Sequence, residues 1–226
     1  MMTVADYKYT CVPRSTDPDK GDLFHVRYVL KPTNPAGTKP LFAIGLNPSA
    51  AYEKELDPSV ENVEKFAGKY KGGCHFVMFN LCPHRTPNPK ELQGLLDEPM
   101  LDIDALLREN IKKIKHELDA FAATEKPTVL ACWGKYDKAA GCRQYFRKSL
   151  SLLFDAIPDV KWVRIKTNTE ILYPLHPSNQ TKHLWAGDFA LVEWKPGDVK
   201  DYIAEVKRIY EKRREHGLIT PILTRH

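Results

Sequence analysis

Three short segments carry side chains able to do chemistry. In Gly45-Leu46-Asn47-Pro48-Ser49-Ala50, the glycine admits close backbone approach and the proline stiffens the turn that presents Asn47. In Leu175-His176-Pro177-Ser178-Asn179-Gln180, a histidine fixed by the following proline can donate a hydrogen bond to developing negative charge. Asn80 closes an apolar run, where a carboxamide must find a partner. That partner is either backbone or the paired donor and acceptor of a ligand. Each segment alone has a plainer reading: a strand-ending turn rich in turn formers at Asn47, a surface-loop histidine at His176.

These residues need elements to hold them. Residues 25–30 have strand composition, and 31–39 is a Pro/Gly/Asn/Thr loop. The short apolar runs 41–46, 75–80 and 128–132 read as buried strands, with 161–165 and 170–175 as further short ones. Helical spacing covers 59–70, with Val60, Val63, Phe66 and Ala67 on one side. It returns at 103–121, with Leu106, Leu107, Ile111, Ile114 and Leu118, and again at 138–154 and 199–216. Strands alternating with helices predict an α/β fold in three layers: a mostly parallel open sheet with helices on both faces. Ligands in such folds bind at the carboxyl ends of the strands. That gathers 47–50, 80–85, 133–135 and 176–180 around one mouth.

With 226 residues, the chain is expected to form a single domain, with a core at about 25–195 and a basic terminal helix at 199–216. Hydrophobic residues at 42% and charged residues at 28% are ordinary globular composition. A net charge of +5 fits a phosphate-bearing partner without requiring one. The first ten residues lack an apolar run, and no stretch approaches a membrane span, so a cytoplasmic chain with no membrane partner is expected. The five cysteines never show two-residue spacing. Cys74-His75 and Cys82-Pro83-His84 supply four possible zinc ligands, but an intervening strand would point some away, and no metal or cofactor is expected. Lys207, Arg208, Lys212, Arg213 and Arg214 alternate with glutamates, which fits a solvated helix face better than a phosphate contact.

Taken in order, Gly45-Leu46-Asn47-Pro48, the strand ending in Asn80, Cys132-Trp133-Gly134 and His176-Pro177-Ser178 resemble the uracil-DNA glycosylase superfamily. A closer resemblance is to a bacterial and phage family of unknown function. It shares Asn47-Pro48-Ser49 with Ala51, then Asp57-Pro58-Ser59, Asn80-Leu81 with Arg85, and the late His176-Pro177. The likeness spans about residues 27–180. It implies a DNA glycosylase that hydrolyses the N-glycosidic bond of a flipped base, in repair or anti-phage defence.

By this resemblance Asn47 orients water and His176 stabilises the departing base. Asn80 reads the pairing edge, and Gly45, Leu46, Ser49 and either Tyr52 or Phe66 surround the base. Arg85, Lys135, Ser178, Asn179 and Gln180 contact DNA, and the protein acts as a monomer. The sequence departs from the best-known uracil enzymes, which have Asp at the position of Asn47 and Tyr at that of Ser49. An amide orients water but cannot pull charge from it. Ser49 leaves room beside base C5, so a 5-modified pyrimidine is the expected substrate. No wedge leucine is evident after Gln180, and the cysteine spacing does not match the iron–sulfur branches. The alternative is a module of the same fold that binds a nucleotide or modified base without cleaving it.

Overall fold

A computed structural model describes residues 8–12, 26–35, 39–49, 51, 55–86, 102–136, 143–157, 159–166, 173–177 and 190–216. In chain order the strands are β1 (Tyr9–Val12), β2 (Val29–Pro32), β3 (Pro40–Gly45), β4 (His75–Asn80), β5 (Thr128–Ala131), β6 (Lys161–Ile165) and β7 (Leu191–Glu193). The helices are α1 (Pro58–Lys69), α2 (Ile103–Ala122), α3 (Arg143–Ala156) and α4 (Pro196–Glu215). All seven strands form one sheet in the order β1-β2-β4-β3-β5-β6-β7. The central strands β4, β3, β5 and β6 are parallel, while β1–β2, β2–β4 and β6–β7 pair antiparallel. This is the predicted α/β architecture.

Side-chain alternation along β3 shows how the layers assemble. Leu41 and Ala43 join Val60, Val63, Phe66 and Ala67 of α1 in one apolar cluster. Phe42 and Ile44 point the other way, into a cluster with Leu107, Ile111 and Ile114 of α2, Leu150 and Leu153 of α3, and Val199, Tyr202 and Val206 of α4. The two-residue strand period and the helical stripes therefore meet as the sequence pattern requires. Each large apolar side chain buried this way contributes about 1.5–3 kcal/mol. Trp133, Trp162, Trp194 and Tyr202 pack against one another at ring separations of 5.3–6.4 Å, and the Trp133 indole Nε1 donates to the Tyr202 hydroxyl at 3.1 Å.

The helix boundaries follow capping chemistry. Asp57 precedes α1, Pro58 is its first residue, and one Asp57 oxygen accepts from Ser59 N (2.9 Å) and Val60 N (3.0 Å). Asp102 caps α2 through Ala105 N. The basic half of α4 behaves as a solvated face: Arg208 pairs with Glu205 and Arg214 with Glu211, while Val199, Tyr202, Val206 and Tyr210 are buried.

Several sequence expectations shift. The strand expected at 25–30 lies at Val29–Pro32, with Val26 making an isolated bridge to His84. Lys31 is tolerated there because its ammonium leaves the sheet to meet Glu117 at 2.9 Å. Tyr173–Leu175, the described part of the strand expected at 170–175, is not in the sheet, and Pro174 has no N–H to give a ladder. The strand beside β6 is instead β7. The helix expected from 138 is described from Arg143, and its first residues lie outside the described ones. Cys74-His75 and Cys82-His84 stand at opposite ends of β4, about 20 Å apart at 3.3 Å per residue, so they cannot share a metal ion. No described helix is long and apolar enough to cross a membrane.

Candidate functional site

The carboxyl ends of β3, β4 and β5 lie side by side, and backbone pairing continues past them. Leu81 N donates to Gly45 O, Cys82 N to Leu46 O, Thr86 N to Pro48 O, and Cys132 N to Ile44 O, all at 2.9–3.0 Å. The loops that follow the strands are thus held together as a rim.

Asn47 stands on that rim, half-buried. Its Nδ2 donates to Thr86 O at 2.8 Å and to Pro48 O at 3.1 Å. Both amide hydrogens being committed, Asn47 can offer only its oxygen, an acceptor suited to orienting a water molecule.

Asn80 lies beneath, 1% exposed. Gly45 is its register partner, and a Cβ at Gly45 would stand 2.8 Å from the Asn80 carboxamide and 2.6 Å from Met78 Cε. Glycine is therefore required for Asn80 to occupy this place. With its nitrogen on that side, the carboxamide donates to the Asn47 and Phe79 carbonyls at 3.3 Å. Asn110 of α2 clamps the strand end from the opposite face, its Nδ2 donating to Asn80 O (2.8 Å) and Leu81 O (3.3 Å).

His176 reaches the same rim from far along the chain. Gly134, at φ +84°, turns the chain out of β5, and a Cβ there would come within 3.2 Å of His176 Cβ. Asn62 on α1 donates to Pro177 O at 3.2 Å and fixes the His-Pro step from the other side. Burial pushes the His176 imidazole below its usual pKa of 6.5, and the Asp57 carboxylate opposes that by favouring the charged ring. The neutral ring is the outcome near pH 7, so His176 has one N–H to donate.

Ser49 donates its hydroxyl to the second Asp57 oxygen at 2.5 Å. It keeps its lone pairs, so toward a ligand it acts as an acceptor. Arg85 Nη2 donates to Ala51 O at 2.5 Å, and the buried Arg27 donates to the same carbonyl through Nη1 at 2.7 Å. Lys135, exposed just after Gly134, holds its ammonium 5.5 Å from the Tyr173 ring centre.

Two of the expected base contacts turn their side chains into the core. Phe66 is 3% exposed in the core between α1 and the sheet, about 12 Å along the helix from Pro58 at 1.5 Å per residue. Apolar burial against Leu41 and Leu130, not stacking at the mouth, determines its place. Leu46 likewise turns its side chain into the core cluster at 8% exposure and gives the rim only its backbone. Tyr52, Ser178, Asn179 and Gln180 lie outside the described residues.

The sequence reading missed Asp57, Asn62, Thr86, Arg27 and Asn110 as parts of this region. Signals were present for two of them: Asn62 and Asn110 interrupt apolar helix stripes, and a polar residue at a core position needs a specific partner.

A family model described as a protein of unknown function (DUF1643) matches residues 27–178. The chain belongs to the DUF1643 family. No curated protein and no solved structure matches it. The DUF1643 match opens at the buried Arg27 and closes just past His176-Pro177, so it contains every described residue of the rim. The first strand and α4 lie outside the DUF1643 match.

Proposed function

We propose that this DUF1643 protein is a DNA glycosylase that hydrolyses the N-glycosidic bond of a flipped pyrimidine, one carrying a substituent at C5. The observation that carries the reading is the shared location of Asn47, Asn80 and His176 at the carboxyl ends of three adjacent parallel strands. They come from separate segments yet are tied to one rim by backbone pairing, by Gly45 and by Gly134.

The roles follow from the chemistry of each side chain. Asn47 presents an amide oxygen and orients water toward the sugar C1′. Bond cleavage then passes through an oxocarbenium-like sugar, as in other glycoside hydrolyses. His176, neutral and half-buried, donates to the departing base anion, and a donor in a water-poor site is worth more than one in water. Asn80, at the floor, reads the pairing edge through its amide oxygen, its nitrogen being held by the Asn47 and Phe79 carbonyls. Ser49 leaves space beside C5 and can accept from a hydroxylated substituent there. Among the described residues, Arg85 and Lys135 are the candidates for contact with the DNA backbone.

The test is abasic-site formation on duplex and single-stranded DNA containing uracil or a panel of 5-substituted pyrimidines. Excision of a 5-substituted base, lost in Asn47→Ala, is the expected result. Tight binding of one modified base without any abasic sites would replace the enzyme reading by that of a non-cleaving reader. Within the enzyme reading, Ser49→Tyr should abolish action on the 5-substituted base and spare uracil. A preference for plain uracil with Ser49 intact would overturn the substrate assignment.

A further inference from the structure

Position 47 holds an amide, so the negative charge available to the mouth has to come from elsewhere. Asp57 supplies it. This carboxylate is half-buried at the start of α1, and its two oxygens have different tasks. One caps the helix through Ser59 N and Val60 N, and the other receives the Ser49 hydroxyl at 2.5 Å. One turn further along α1, Asn62 holds the carbonyl of Pro177 and keeps His176 beside that first turn. Gly134 closes the opposite side of His176.

The other charged groups of the surrounding elements are engaged or turned away. Arg27 and Arg85 donate to Ala51 O, Lys135 lies over Tyr173, and Glu55 is exposed. On α1, Glu61 is near Lys65, and Glu64 accepts from the Tyr9 hydroxyl.

We infer that Asp57 is the positioning carboxylate of this site, tying Ser49 to the first turn of α1 and acting electrostatically on His176 across the mouth. Its relevance to catalysis rests on the glycosylase reading, but the coupling itself does not. Burial favours the neutral imidazole and Asp57 favours the charged one, so their balance sets the pH at which His176 takes up a proton. If the neutral ring is the working donor, activity falls as pH drops through that point. Asp57→Asn removes the opposing charge, which lowers the His176 pKa further and moves the acid limb to lower pH. The substitution keeps an acceptor oxygen for the helix cap, and Asn caps as well as Asp.

The experiment is an imidazole ¹⁵N titration of the full chain, with His176 assigned by His176→Gln. In Asp57→Asn the His176 midpoint should fall by about 0.5–1 unit. In the unaltered protein, the Asp57 carboxyl ¹³C signal should show an inflection at the His176 midpoint. That second measurement needs no variant and decides the matter if Asp57→Asn does not fold. An unmoved midpoint in a folded variant, or no such inflection, overturns the inference. Neither measurement depends on base excision: absence of glycosylase activity leaves the coupling intact, and absence of coupling leaves the glycosylase reading intact.

Discussion

The two ends of the parallel sheet are built differently. At the carboxyl end buried polar groups are concentrated, and Arg27, Asn62 and Asn110 among them donate to neutral carbonyls. Of the seven buried polar or charged residues among those described, Arg27, Asn62, Asn80, His84, Thr86 and Asn110 cluster there, and Ser149 on α3 is the other. At the amino end the polar groups are exposed and paired with opposite charges. Lys39 meets Glu125, Lys126 meets Asp159 at 2.5 Å, and Lys161 comes within 3.8 Å of Glu193. Exposed ion pairs contribute little stability, because water and salt screen them and long side chains lose freedom. Buried amides are costly unless satisfied, so a region that concentrates them holds its side chains in fixed places. One end is arranged for precision and the other for solubility, which is why the candidate site is assigned to the carboxyl end.

The sharpest way to break this contrast is to remove single polar groups at the carboxyl end and find no functional loss. Asn47→Ala and His176→Ala should each lower base excision by roughly 10²-fold or more while the protein stays folded. Near-normal rates alongside collapsed DNA affinity would show that both residues bind and do not catalyse.

Next in size is the backbone that seats His176. Gly134→Ala places a Cβ at φ +84° and 3.2 Å from His176 Cβ. A loss of about 1–3 kcal/mol in denaturant unfolding is expected from the strained backbone. Excision should fall further than stability alone explains.

The pH dependence of stability gives a smaller signal. His176 has a depressed pKa in the fold, so on acidification the unfolded chain takes up the proton first. The contribution of His176 is full above about pH 6.5, its unfolded value. It is lost as pH falls from there toward the lower folded pKa, and it changes no further below that. Replacing His176 by Gln should flatten the stability profile in that window. An unchanged slope would show that the ring is not desolvated.

The smallest effect is expected at the other end. Lys126→Ala, which breaks the pair with Asp159, should change stability by less than about 1 kcal/mol and leave excision unaltered. A large effect there would erase the distinction between the two ends.

Much of this was legible in the sequence. The apolar runs at 41–46 and 75–80 gave β3 and β4 to within a residue, because buried strands have no polar face to blur their limits. Helix α1 was legible from its stripe alone, and the structure adds Asp57 as the cap and Pro58 as the first residue. Asn47 and Asn80 could be named because polar residues that close apolar runs are conspicuous, and His176 because a proline follows it in a motif carried by the resemblance. Edge strands β1 and β7 could not be found this way. They are three or four residues long, and the partner across the sheet, not their own pattern, makes them strands.

What only the tertiary structure decided was the use made of each side chain. Phe66 and Leu46 were as compatible with a pocket as with a core, and folding packs both side chains against distant core residues. Asp57 stood only in a family motif, and the structure makes one of its oxygens the helix cap and gives the other the Ser49 hydroxyl. Local sequence fixes which backbone conformations and which faces are favourable, because those depend on near neighbours. Hydrogen-bond commitments and electric fields depend on what folding brings within a few ångströms, and that is written in no single segment.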